Sequence, residues 1–339
     1  MGSDRGGGQE AEVRDVIGWG IVGTGGIAAT FAESMPLVED GRVVAVASRT
    51  RDRAAAFAGT WSVERAYDDV AAMAADPRVD VVYVATPHAR HHDDALVALG
   101  AGRPVLVEKP FALTSTQASR VLDAAEARGA FVMEAMWSRF LPAYVELAGL
   151  LADGAIGTPL QVSSDFGIPA PDDDPTHRLL DPRLGGGALL DLGVYPLQLA
   201  HLALGPVDDV AAVGVLGPTG VDVQVAVSTR HAAGGVATSR ASIAGLTGCT
   251  ARIDGTAGSI TLPAFAHAPH ALTLERAGAA ETRERPYAGP GLQYEIAEVH
   301  RCLRAGLTES PIMPWSATLA LAATMDAVRD RIGLAYPDE

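Results

Sequence analysis

Between Val16 and about Ala135 the chain passes repeatedly from a short apolar run to an alanine-rich helical stretch. The runs VIGWGIVG (16–23), VVAVAS (43–48), VDVVYVAT (79–86) and PVLVE (104–108) are β-branched and continuous rather than alternating, as strands buried on both faces are. The stretches IAATFAESM, DRAAAFAGT and HDDALVALGAG between them carry helix formers with apolar residues three and four apart. Strand then helix, repeated, requires parallel strands with right-handed crossovers. The first half is therefore expected to be a doubly wound α/β sheet over residues 15–135.

From 136 to 339 the character changes. QVSSDF, VDVQVAVST, GVATSRASI, CTARIDG and SITLP follow one another with few helices between them. Val221, Val223, Val225 and Val227 alternate with polar residues, so one face of that strand is wet and its sheet antiparallel. A second, α+β domain with a large, mostly antiparallel open sheet is expected. Helices near Glu295–Ala305 and from an N-cap Ser316 to Ile332 close the chain and should pack back toward the first domain.

Charge and cysteine usage narrow the function. Forty-one acidic residues outweigh 26 basic ones for a net charge of −15, and no Lys/Arg cluster offers a nucleic-acid footprint. Cys249 and Cys302 have neither metal-ligand nor redox spacing, which suits a reducing, cytoplasmic compartment. Residues 1–14, Gly-rich and charged, read as a loose tail with no signal-peptide core. Gly, Pro or charge interrupts each apolar run before the roughly 18 residues a membrane span needs, so no membrane is expected.

Gly23-Thr24-Gly25-Gly26-Ile27-Ala28 fits G-x-G-x-x-A between a first strand and a helix, the dinucleotide fingerprint of a Rossmann domain. The first glycine permits the turn, the second lets backbone approach a pyrophosphate, and Ala28 lets the helix pack closely. An NAD site would place a carboxylate about 20 residues on. Here that place reads Ser48-Arg49-Thr50, with Arg53 one turn later, a hydroxyl and guanidinium set suited to the 2′-phosphate of NADP. The same arginines could also be ordinary surface charges.

Two further strand ends reach the same rim. One carries Thr86-Pro87-His88-Ala89-Arg90-His91-His92, where three histidines lack the partner motif of a metal site, so no metal is expected. At least one should face a cleft. The other carries Glu108-Lys109-Pro110, where a buried lysine could orient a substrate hydroxyl. Downstream, GGGALLDLGVYPLQL (185–199) is a glycine hinge followed by a helix that puts Asp191 and Tyr195 on one face. Tyr195 could move a proton and Asp191 could bind a hydroxyl or position Lys109, although the helix could equally be packed through Leu190, Val194 and Leu197 with Tyr195 half-buried.

Taken together, the glycine loop, T-P-x-x-x-H, E-K-P and G-G-G-A-L-L-D-x-G-x-Y resemble the glucose-fructose oxidoreductase and inositol dehydrogenase family over nearly the whole chain. MEAMWSRFLP (133–142) and YEIAEVHRCLRAGLTESPIMP are most similar to its dimeric dihydrodiol dehydrogenase and NADP-dependent D-xylose dehydrogenase branch. The resemblance implies that Tyr195 is the general acid/base, that Lys109 lowers its pKa, and that the Lys-Pro peptide is cis. It implies substrate contacts from Asp191, His88, His91, Trp137, Arg139 and Phe166. Cofactor contacts would extend from Gly23, Gly25, Gly26, Ile27, Ser48, Arg49 and Arg53 to Thr86, Pro87, His91, Glu108 and Lys109.

The implied activity is hydride transfer between NADP and a carbinol or carbonyl carbon of a sugar, cyclitol or vicinal diol held between the first domain and the open face of the second sheet. A homodimer built on that sheet is also implied. Inositol dehydrogenases carry a histidine where this chain has Tyr195, which disfavours inositol. Gly167–Arg183, with Asp172, Asp173 and Asp174, departs from the family pattern and is expected to border the pocket. The alternatives are a ketosugar or anhydrosugar reductase using the same site, and a non-catalytic dinucleotide sensor like the family's yeast galactose-pathway repressor.

Overall fold

The computed structural model describes residues 15–171, 174–337 and 339; the expected tail at 1–14, and Asp172 and Asp173 of the acidic loop, lie outside them. Strands β1 (Ile17–Val22), β2 (Gly41–Ala47), β3 (Arg65–Tyr67), β4 (Val81–Val84), β5 (Val105–Glu108) and β6 (Val132–Ala135) form one sheet in the order β3-β2-β1-β4-β5-β6. Every pair is parallel. Helices α1 (Gly26–Ser34), α2 (Arg51–Trp61), α3 (Val70–Ala74), α4 (His91–Gly100) and α5 (Ser115–Glu126) connect them.

The apolar runs are continuous because the sheet is covered on both sides. Trp19, Ile21, Tyr83 and Leu106 pack with Phe31 of α1, while Val82, Val84, Val105 and Val107 pack with Leu99 of α4 and Leu122 of α5. Each such side chain contributes roughly 1.5–3 kcal/mol by leaving water. The strand order reverses between β1 and β4, so their carboxyl ends open a crevice.

The second domain begins with α6 (Pro142–Ala152) and β7 (Pro159–Gly167), followed by α7 (Val194–Leu204) and strands β8 (Val207–Leu216), β9 (Asp222–His231), β10 (Val236–Ser242), β11 (Ala251–Gly255), β12 (Gly258–Leu262), β13 (Ala271–Arg276) and β14 (Ala279–Glu284). The eight strands run β14-β13-β12-β11-β7-β10-β9-β8, antiparallel except for β7 beside β10. In β9 Val225 and Val227 are buried and Gln224, Ala226 and Ser228 exposed, but the expected alternation breaks at Asp222, which is buried. Pairing of Val213 with Ala226 and Val215 with Gln224 puts both exposed valines on that outer face.

By length and composition alone, Pro182–Leu204 is long and apolar enough to cross a membrane, contrary to the reading that no run reaches that length. Within its most apolar 18 residues, 83% is buried inside the protein, as the core helix of a two-layer domain must be. Helices α8 (Gln293–Arg304) and α9 (Trp315–Ile332) return to the first sheet. Trp19 donates to His300 at 2.8 Å, Trp315 to the carbonyl of Val132 at 2.9 Å, and Arg329 to the carbonyl of Leu113 at 2.9 Å. Ser316 does not cap α9: the helix starts two residues earlier than that cap implies, at Trp315 after Pro314, where Glu309 accepts the Trp315 N–H and makes a serine cap unnecessary.

Candidate active site

The glycine loop leaves β1 with Gly23 at φ +109°, and a Cβ there would lie 2.5 Å from the carbonyl oxygen of Ala85. Only glycine fits such a turn. Gly25 and Gly26 instead face open space, and Gly25 caps α1 without a side-chain hydrogen bond. The exposed first turn therefore offers backbone N–H groups and the positive end of the helix to an anion. Ile27 is partly exposed there and Ala28 is fully buried beneath it. Ser48 Oγ lies 3.3 Å from Thr24 Oγ1, and Arg49 and Arg53 are exposed and in no ion pair among the described residues. This arrangement fits a dinucleotide with a 2′-phosphate.

The histidine and lysine loops are fastened to one another. His91 is buried, with Nδ1 2.7 Å from the Pro110 carbonyl oxygen and Nε2 2.8 Å from that of Thr86. A neutral ring can donate to only one of these, and burial, reinforced by His88, pushes its ionisation down to about 3. His91 is thus a strut between loops, and the expected ligand contact through its ring is corrected: both nitrogens face backbone carbonyl oxygens, and one of them receives the ring N–H. Thr86 Oγ1 donates to Asp94 at 2.9 Å, and Pro87 precedes the short helical turn His88–Arg90.

Glu108 ends β5 fully enclosed, accepting from Tyr83 at 2.5 Å and from the backbone N–H of Lys109 at 3.1 Å, so its carboxylate braces the loop from beneath rather than meeting a ligand. Arg139, also expected at the ligand, is buried and donates Nε–H to Gln198 at 3.1 Å and Nη1–H to the carbonyl of Ile312 at 3.2 Å, which turns two of its three nitrogens to internal acceptors.

Past the cis Lys109–Pro110 bond the lysine meets the second domain. Its Nζ donates to Asp191 Oδ1 at 3.1 Å and to the Asp191 carbonyl at 2.9 Å, and stands 5.1 Å from the centre of the Tyr195 ring. Asp191 lies in a π-helical turn, Leu189–Gly193, that runs into α7. Such widened turns are frequent at functional sites. Asp222 secures this one by accepting the Leu189 N–H at 2.7 Å, and a Cβ on Gly187, at φ +116°, would collide with Asp222.

Three groups crowd Asp191: Lys109, the Arg178 fork at 3.0 and 3.3 Å, and His88 Nε2 at 3.6 Å. Burial alone would raise its pKa; Lys109, then His88 and Arg178, outweigh that and hold it well below the carboxylate range. For Lys109, burial favours the neutral amine, but Asp191 and Tyr195 overcome it and the ammonium persists.

Tyr195 Oη accepts a 2.8 Å hydrogen bond from Trp137 Nε1. Phe166 meets the Tyr195 ring edge-on at 5.6 Å, and His267 stacks on Phe166 at 4.2 Å. Phe166 of β7 points toward Tyr195, so this aromatic cluster lies on the face of the second sheet that carries α7. Burial pushes the phenol up to about 12; Lys109 and the Trp137 bond act downward, as expected of the lysine, without prevailing. The lysine's charge is already largely matched by Asp191, which blunts its effect.

Arg178 and His267 were not singled out from the sequence. Arg178 belongs to the divergent 167–183 segment and His267 to a loop between β12 and β13, and neither lies in a motif.

Residues 17–136 match an oxidoreductase family with an NAD-binding Rossmann fold, and residues 144–261 match the GFO/IDH/MocA C-terminal domain. The chain belongs to the GFO/IDH/MocA oxidoreductase family. Within it, a trans-1,2-dihydrobenzene-1,2-diol dehydrogenase from Xenopus laevis is 35% identical, covering 94% of this chain and 99% of that one. A D-xylose 1-dehydrogenase (NADP(+)) from Hypocrea jecorina is 34% identical, covering 94% and 93%. Among solved structures, a 3-ketoreductase from Actinomadura kijaniata in complex with NADP and TDP-benzene superposes with a TM-score of 0.80 at 29% identity, over 94% and 98% of the two chains. The protein is accordingly an oxidoreductase with an NAD(P)-binding Rossmann domain.

Proposed function

We propose that the protein is an NADP-dependent oxidoreductase acting between a carbinol and a carbonyl carbon of a sugar, cyclitol or vicinal diol, with Tyr195 as acid/base and Lys109 beside it. The observation that carries this reading is the meeting of Lys109–Asp191 with Tyr195–Trp137 at the strand rim above the glycine loop. When bound, the dinucleotide supplies or accepts the hydride at C4 of its nicotinamide. Gly25, Gly26 and the first turn of α1 would hold its pyrophosphate, and Ser48, Arg49 and Arg53 its 2′-phosphate.

The chain's own residues handle the proton. Trp137 occupies one lone pair of Tyr195 Oη, leaving the phenol O–H to donate to a substrate carbonyl oxygen. Lys109 lies close enough to stabilise the oxygen charge left behind. Asp191 would take up the neighbouring hydroxyl, a role supported by its anchored carboxylate. A phenol pushed up to about 12 is protonated at neutral pH, so the resting site is set for carbonyl reduction, and oxidation requires its deprotonation.

We also infer a homodimer through the open face of the second sheet, a reading supported by exposed Val213 and Val215. The test of function is NADPH oxidation or NADP reduction on a panel of aldoses, ketosugars and trans-diols. Turnover of a panel member with NADP preferred supports the reading. Tight NADP binding without turnover on any substrate favours a dinucleotide sensor.

A further inference from the structure

His267 occupies an unusual position for a residue in a loop between strands. Its ring stacks on Phe166 at 4.2 Å and 19°, stands 5.1 Å from the Tyr195 ring, and meets Trp137 edge-on at 5.9 Å. It therefore touches each aromatic group that walls the proposed reaction site. Its backbone is pinned too: Ser138, next to Trp137, donates to the His267 carbonyl at 2.5 Å.

Neither ring nitrogen has a hydrogen-bond partner among the described residues, and Nδ1 is buried. With Tyr144, Ser164, Phe166, Tyr195 and Cys249, His267 lines a small cavity, where Ser164 Oγ is also unpartnered. An unmatched N–H is rarer in protein interiors than an unmatched acceptor, so the enclosed Nδ1 is better bare and the proton better placed on Nε2. Burial, with Lys109 acting in the same direction, pushes the ionisation of His267 down to about 4. The ring is neutral at physiological pH, with a single N–H to offer.

We propose that His267 is a substrate-binding residue whose Nε2–H donates to a hydroxyl beyond the reacting carbon and its neighbour, selecting polyhydroxylated rings over simple diols. This rests on the reading of the site as a sugar or diol oxidoreductase. Asp191 and Lys109 form the charged side of the pocket, where Asp191 serves the hydroxyl beside the reacting one. Trp137, Phe166 and His267 form the aromatic side, which fits the C–H face of a ring, and His267 is the member of that wall with a spare polar atom.

The experiment uses the full chain with saturating NADP, and D-xylose and trans-1,2-dihydrobenzene-1,2-diol as probes. His267→Phe keeps the stacking and removes the donor. It is expected to raise KM for D-xylose about tenfold, with kcat and NADP affinity within twofold and the diol's KM unchanged. His267→Gln, which restores an N–H near the Nε2 position, should recover most of the loss. The wild-type KM for D-xylose should stay level from pH 5.5 to 8, where a solvent-open histidine would titrate. Equal KM shifts for both probes, unchanged KM for both, or failure of the glutamine variant to recover would overturn the role of His267 while leaving the enzyme reading intact. A wild-type protein inactive on both probes and on the wider panel would overturn both.

Discussion

Trp137 Nε1 donates to the phenol oxygen of Tyr195 at 2.8 Å, and that bond links the inter-domain turn 137–140 to the residue proposed to move the proton. The indole N–H can strengthen its bond as the oxygen gains negative charge, so it belongs to the transition state more than to substrate binding. Trp137→Phe keeps an aromatic ring and removes the donor. It should lower kcat about tenfold to a hundredfold, in line with a hydrogen bond to a charged group, with NADP affinity unchanged. A rise in KM alone, at normal kcat, would reduce Trp137 to a pocket wall.

Tyr195→Phe should cut kcat by roughly 10²- to 10⁴-fold with folding and NADP binding intact. Lys109→Met should also lower kcat sharply, and the double variant should lose little more, because the two groups act on one proton. The pH profiles follow from the raised phenol. Reduction consumes the protonated form, so its rate should be level from pH 6 to 9. Oxidation consumes the deprotonated form and should climb with pH over the same range. Lys109 pulls the phenol downward, so in Lys109→Met the climb should move to still higher pH. Near-normal turnover by Tyr195→Phe would reassign the proton to a different group and leave Lys109 as a substrate clamp.

Arg49 lies exposed after β2 with no carboxylate holding it among the described residues, so its guanidinium is available to a phosphate. Arg49→Ala should weaken NADP about tenfold to a hundredfold and leave NAD affinity where it was, as read by titration of each cofactor. Equal affinity of the wild-type protein for the two would remove the 2′-phosphate assignment.

Residues whose role is set by local backbone were the legible ones. Gly23, Gly25 and Gly26 announce themselves because a turn against the Ala85 carbonyl and an open helix N-terminus demand them, and continuous β-branched runs reveal a sheet covered on both faces. Lys109, Asp191 and Tyr195 were visible as polar residues in apolar company. What the chain order conceals is contact across it. Trp137 meets Tyr195 over 58 positions, Arg178 reaches Asp191 from a segment without periodicity, and His267 enters from a loop. Strand β14 escaped notice because AAETRE, at the edge of the sheet, has no apolar face to bury. The chemistry of His91 suits a ligand, but burial sets both of its ring nitrogens against backbone carbonyls, which its place in the chain does not reveal.

Asp222 provides a test of how the site is supported. It is buried, with Oδ2 accepting the Leu189 N–H at 2.7 Å and Oδ1 without a partner. Burial raises its pKa to about 7, and the backbone bond from Leu189 only partly counters this. The folded state therefore holds the proton more tightly than the unfolded chain, whose carboxyl has the ordinary value of 3.8. Linkage fixes the sign: the contribution is most favourable below about pH 4, declines as pH rises toward 7, and is level above that. Asp222→Asn keeps an oxygen for Leu189, replaces the unpartnered oxygen with an amide, and cannot titrate. Its melting temperature should exceed that of the wild type at pH 8, and the gap should close at pH 5. Because the π-helical turn carrying Asp191 hangs from this bond, kcat of the asparagine variant should stay close to normal, whereas Asp222→Ala, which removes the acceptor, should lose both stability and kcat. Melting curves of wild type and Asp222→Asn that run parallel from pH 5 to 8 would show that Asp222 is not the titrating group.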